Sequence, residues 1–250
     1  YLALSAETLG DRNVAIGNNA LSTQNNTSDV DSYNVAVGYD AGASITSGIK
    51  NTIMGGLAGD ALTTGAENVA IGYRALTSED GHGKNVAVGF QSLVSLNAGA
   101  DAYNVAVGHS AGAEVTTGIQ NTLLGSQVGD ALTTGSYNVA IGFQALSSED
   151  SGGRNVAIGR AALNQLNAGA DGYNVAVGIE AGYTMTTGIQ NTLIGANAGA
   201  LVTTGSYNTI MGGLAGDSLT TGSFSVAIGY NALSTEDTGG RNVAIGYESL

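Results

Sequence analysis

Three acidic segments are where chemistry could reside in this chain: "SEDGHGK" from Ser78, "SEDSGGR" from Ser148 and "TEDTGGR" from Thr235. Each sets two carboxylates beside flexible glycine: Glu79 and Asp80, Glu149 and Asp150, Glu236 and Asp237. Hard oxygen ligands on a pliable loop are what Ca2+ requires. The spacing argues against that metal, because calcium-binding solenoids set alternating Asp within a glycine-rich nonapeptide. These loops also occupy a place where sister segments carry Leu or Val. The expectation is therefore a loop that bulges into water, holds no metal and tolerates loss of Glu149 with little effect.

Other chemistries fare no better. Glycoside cleavage needs two carboxylates at a defined separation in a cleft, and repeated carboxylates on a convex ridge do not supply one. The two histidines, His82 and His109, do not recur; Gly152 and Ile179 stand at the sister positions. A catalytic triad has no home, and each His is expected to be a surface variant. Thr pairs such as Thr63-Thr64, Thr133-Thr134 and Thr220-Thr221 suggest ice binding, but adjacent residues of a strand point to opposite faces, so T-T before Gly is expected to be a turn. No catalytic residue and no cofactor is expected, and the chain is not expected to be an enzyme.

What surrounds these segments is a repeat, and a repeat argues for architecture. Taking the Asn of "NVAIG" as position 1, units begin at 13, 34, 51, 68, 85, 104, 121, 138, 155, 174, 191, 208, 225 and 242, stepping by 17 residues except for 21 once and 19 twice. Position 5 is always Gly, as in Gly17, Gly72 and Gly142. Position 1 is Asn, as in Asn13, Asn68 and Asn138, in every unit but that of Ser225. A four-coil block recurs after 70 residues, from Asn34 to Asn104 to Asn174. The chain begins and ends within a unit, which is expected of a window from a longer array.

Composition agrees with a stack. Forty Gly with no Pro leaves turns to Gly and Asn and keeps backbone N–H groups free for strand pairing. No Cys means no disulfide and no thiolate metal site. A net charge of −13 repels nucleic acid and anionic membranes. No apolar run approaches the roughly 20 residues that span a bilayer, and no leader opens the chain. Neither nucleic acid nor membrane insertion is expected of this segment.

The fold expected over 1–250 is all-β: one continuous parallel β-solenoid of about 14 coils, each with two short strands and two turns. Val14 and Ile16 share one side of a strand and Ala15 takes the other. If positions 2 and 4 fill the coil, position 3 should be polar and wet. It is instead Ala in ten coils and Ile53, Leu123, Leu193 or Ile210 in the others, each of those four following a Thr. The expectation is that position 3 faces another chain. Bulk on the second wall alternates between position 9 (Leu76, Leu146) and position 12 (Leu62, Leu132). Asn on Asn should bond amide to amide along the stack and adopt the left-handed turn conformation. Tyr33, Tyr103, Tyr137, Tyr173, Tyr207 and Phe224, each just before position 1, should form an intermittent aromatic ladder, with a sugar-binding surface as the functional alternative.

The segments "NVAIGYRAL", "NVAIGFQAL" and "NVAIGYNAL" resemble the repeat arrays of tail-fibre proteins of phages and related viruses. Less closely, they resemble the head repeats of trimeric autotransporter adhesins, whose shorter coil also carries a V-A-I-G core. The resemblance covers the whole chain. It implies a homotrimer of left-handed β-rolls and a structural shaft in an extracellular attachment fibre. That fibre would belong to a virion tail or a cell surface and meet a host receptor or glycan through regions outside this segment. A bacterial adhesin and an extracellular filament or surface-layer protein are the alternatives. The 17-residue period, longer than the adhesin coil, departs from that family.

Overall fold

The computed structural model describes residues 2–26, 29–235 and 237–250, so Glu236 lies outside the described residues. Regular structure among these is all strand, and no helix is long and apolar enough to cross a membrane. The chain divides into two compact units, Tyr1–Asn121 and Thr122–Leu250. The first holds β1 (Val14–Ile16), β2 (Val35–Val37), β3 (Thr52–Met54), β4 (Val69–Ile71), β5 (Val86–Val88) and β6 (Val105–Val107). The second holds β7 (Thr122–Leu124), β8 (Val139–Ile141), β9 (Val156–Ile158), β10 (Val175–Val177), β11 (Thr192–Ile194), β12 (Thr209–Met211), β13 (Val226–Ile228) and β14 (Val243–Ile245). Within each unit every strand pairs in parallel with the next, residue on equivalent residue, as Val14 on Val35 and Ile141 on Ile158. This is a parallel β-solenoid with a period of about 17 residues.

Among the described residues, each coil from Asn13 onward has one strand, not two. The second apolar cluster is a run of turns, because two of its residues are left-handed: in the coil from Asn68, Arg74 (φ 56°) and Leu76 (φ 53°). It still bonds coil to coil, with Leu76 N donating to Ser92 O at 3.0 Å and Leu146 N to Ala162 O at 3.0 Å. Gly at position 5 is obligatory. Gly72 has φ +132°, and a Cβ there would lie 2.3 Å from the carbonyl oxygen of Gly89; at Gly142 (φ +128°) it would lie 2.5 Å from that of Gly159. The column of glycines, Gly17 included, lets successive coils approach at this corner.

The two faces of the strand are reversed from the sequence expectation. Position 3 is buried within the single chain: Ile53, Leu123, Leu193 and Ile210 are inaccessible, as are almost all the Ala at that position. These residues fill the coil's own lumen and cannot face another chain. The reason is volume. Where position 9 is a left-handed Leu, as at Leu76 or Leu146, position 3 is Ala. Where position 3 is large, position 9 is Gly: Gly59 lies under Ile53, Gly129 under Leu123, Gly199 under Leu193 and Gly216 under Ile210. No level carries a large side chain at both positions, and where both are small, as at Ala36 with Gly42 and Ala176 with Gly182, the space over the Gly is met by large residues of the adjacent levels, Ile53 and Leu21 or Leu193 and Leu163, which keeps the lumen close-packed. Positions 2 and 4 point outward and are exposed or half-buried, as at Met54, Val107 and Ile228.

Asn at position 1 braces the coil in two directions. Along the stack, its Oδ1 accepts the backbone N–H of the next Asn: Asn13 from Asn34 at 3.0 Å, Asn51 from Asn68 at 3.0 Å and Asn138 from Asn155 at 3.0 Å. Across the coil, its Nδ2 donates to a carbonyl fourteen residues on, as Asn51 to Gly65 O at 2.9 Å and Asn138 to Gly152 O at 3.1 Å. Direct amide-to-amide bonds also occur, as from Asn51 to Asn34 at 3.2 Å. The left-handed residue is the one before the Asn, such as Lys50 (φ 59°) or Tyr137 (φ 63°), and not the Asn itself.

Candidate functional site

The acidic loops follow the turn cluster, and Glu79 and Glu149 enter the lumen at position 12, where Leu62 and Leu96 flank Glu79 in sequence neighbours and Leu132 and Leu166 flank Glu149. Glu79 and Glu149 are fully buried, which overturns the expectation of solvated loops. A carboxylate survives there because the loop aims N–H groups at it. Glu149 Oε1 accepts from Gly152 N at 2.8 Å and Oε2 from Ala168 N at 3.4 Å. Glu79 Oε1 accepts from His82 N at 3.2 Å and Oε2 from Ala98 N at 3.3 Å. In each case burial pushes the carboxyl above its ordinary range, and the N–H groups only partly offset it.

Glu7 stands at the same place in the partial coil before Asn13 and was not singled out from the sequence, although "YLALSAETLGDR" aligns in register with "YNALSTEDTGGR". Burial raises its carboxyl too, but the N–H groups of Gly10, Leu9 and Asn26 and the Gln24 side chain outweigh that and hold it below the usual carboxylate range. Its Oε1 accepts from Gly10 N at 2.6 Å and Leu9 N at 3.0 Å.

The Asp of each loop remains at the surface and ties its coil to the preceding one. Asp80 O accepts from Thr63 N at 2.5 Å, Asp150 O from Thr133 N at 2.7 Å and Asp237 O from Thr220 N at 2.7 Å. Thr63, Thr133 and Thr220 add hydroxyl bonds to the same carbonyls. The Thr-Thr-Gly segments are bends held by these bonds and not a flat hydroxyl array.

Glu79, Asp80 and His82 bring three ligand atoms within 4.8 Å of one another, with His82 Nδ1 3.5 Å from Glu79 Oε1. The grouping does not recur at Glu149, where Gly152 replaces the histidine. His109 stacks on Phe90 with centroids 5.0 Å apart, and its Nδ1 lies 3.1 Å from Ser110 Oγ. The two histidines thus stand in different surroundings, His82 beside a buried carboxylate and His109 against a ring and a serine hydroxyl.

The residues before position 1 form a ladder in which cations alternate with rings. Arg154 lies over Tyr137 at 4.7 Å and Tyr173 at 5.6 Å, Lys84 over Tyr103 at 5.1 Å and Arg12 over Tyr33 at 5.4 Å. Tyr207 and Phe224 stack directly at 4.9 Å. A second ladder at position 6, Tyr73–Phe90 and Tyr230–Tyr247, escaped the sequence reading because its rings are interrupted by Gly, Ser and Ala. Rings stacked along the column, or capped by a cation, have that face occupied and do not present it to a sugar. Comparison with protein-family models, with curated proteins and with solved structures gives no match.

Proposed function

We propose that this chain is a structural shaft segment of an extracellular attachment fibre, in the first place a viral tail fibre, assembled as a left-handed homotrimer. Host contact in this reading belongs to regions outside the segment, and the segment itself catalyses nothing. The observation that carries it is the repetition of one bracing pattern. Position 1 ties coil to coil and, in most coils, across the coil, position 5 admits only Gly, and positions 3 and 9 are never both large. Selection for length and stiffness accounts for residues placed identically many times, whereas a binding or catalytic site would break the pattern at one place. The carboxylates of Glu79 and Glu149 accept loop N–H groups, and the backbone carbonyls of the Asp residues beside them accept from the preceding coil, which supports a bracing role.

The reading is tested by applying the purified chain to a glycan array and to oligosaccharide substrates, followed by mass spectrometry of the products. Neither retention nor cleavage is expected. Specific retention that disappears in Glu149→Gln while the fold persists would make the segment a binding module instead.

A further inference from the structure

Within each compact unit the large apolar side chains that are exposed stand on one face, Leu2, Leu9, Leu201 and Leu250 excepted. The rest occupy four columns: the residue before position 1, positions 2 and 4 of the strand, and position 6. The inner two columns are Val, Ile, Met, Leu and Thr alone, and the outer two carry most of the aromatic rings. In the second unit, eight strands at ~4.8 Å and six residues of width at ~3.3 Å give a face on the order of 750 Å2. It approaches the ~800 Å2 that each partner gives to a stable interface.

Charge distinguishes this face as well. Of the seven cations, Arg12, Lys50, Lys84, Arg154 and Arg241 stand before position 1 and Arg160 at position 6; of the twenty carboxylates, only Glu67 joins them in these columns. Several rim cations are already paired within the chain, Arg154 with Asp171 at 2.6 Å, Lys84 with Asp101 at 2.7 Å and Arg160 with Glu180 at 2.6 Å. Two copies of a chain of charge −13 repel one another over most of their surfaces. Through this face they meet where the negative charge is missing.

We infer that the outward face of positions 2 and 4, with its aromatic and cationic rims, is the surface by which one copy of this chain packs against another. The inference rests on the oligomeric reading above and names its surface; area and charge carry it, and burial within the single chain excludes position 3. Association buries the two apolar columns, while the paired cations at the rim remain in contact with water.

The chain has no Cys, so a single thiol can report on each surface. Met211→Cys and Ile228→Cys place it at position 4, where the single chain leaves the residue exposed, and Thr134→Cys places it on an exposed bend elsewhere. In the assembled full chain, maleimide should label the two position-4 thiols at least about tenfold more slowly than the Thr134 thiol. Met211→Glu combined with Ile228→Glu should dissociate the assembly while the β circular dichroism persists, because neither residue fills the lumen. Equal labelling rates in an intact oligomer would overturn this surface and leave the oligomeric reading standing. A monomeric wild-type chain, whether free or bound to anionic vesicles, would overturn both.

Discussion

Replacing Glu149 by Ala removes a buried carboxylate that serves two backbone donors. The bond from Gly152 N, at 2.8 Å, is a full hydrogen bond to a charged group, worth about 1.5–3 kcal/mol, and the one from Ala168 N at 3.4 Å adds roughly 0.5. The space left in the lumen between Leu132 and Leu166 costs about 1 kcal/mol more. The expected loss is about 3–4 kcal/mol, read by urea denaturation, with hydrogen exchange accelerated at Gly152 and Ala168. Glu149→Gln keeps an acceptor and the volume, so most of that stability returns, and its pH dependence differs. Because burial raises the Glu149 carboxyl, its protonated form is favoured in the folded chain. Its contribution is fully present below the unfolded pKa and is lost as pH rises through the folded one. Between pH 4 and 7 the wild type should therefore lose stability relative to Glu149→Gln. An Ala variant as stable as wild type, or parallel pH profiles for wild type and Gln, would refute the reasoning.

Glu7 carries the opposite sign: its lowered carboxyl contributes stability above the unfolded pKa that is lost as pH falls through the folded one, so Glu7→Gln should flatten the acid limb of the melting profile. Leu123→Asp places a carboxylate in the lumen, at a cost of several kcal/mol, and should abolish the local β structure by hydrogen exchange, not merely dissociate an intact fold. Gly72→Ala drives a Cβ against the Gly89 carbonyl at a φ that disfavours side chains, and a fall in melting temperature of roughly 5 °C or more is expected from a cost above about 2 kcal/mol.

The coil boundaries, the parallel stacking and the glycine corner were legible because a 17-residue repeat with Gly in every unit at position 5 and Asn in all but one at position 1 admits few other structures. The direction of the strand was not, since both of its faces are apolar and alternation alone cannot say which is inside. A usable signal lay within the chain: Ile53, Leu123, Leu193 and Ile210 occur only where position 9 is Gly, and such exchange of volume marks two positions that share a lumen. Glu149 misled for a related reason. A carboxylate is ordinarily at the surface, and only the geometry of the following Gly152 and the next coil's Ala168 reveals the donors that let it replace a Leu. The second strand was expected from apolar content, but its left-handed Leu residues, as at Leu76 and Leu146, turn the chain instead.

Sedimentation equilibrium of the whole chain over a hundredfold range of concentration tests the central claim, that this is a structural segment completed by copies of itself. The account predicts a single species of three times 24.7 kDa that persists on dilution. A stable monomer, with its apolar face open to water at every concentration, would contradict it.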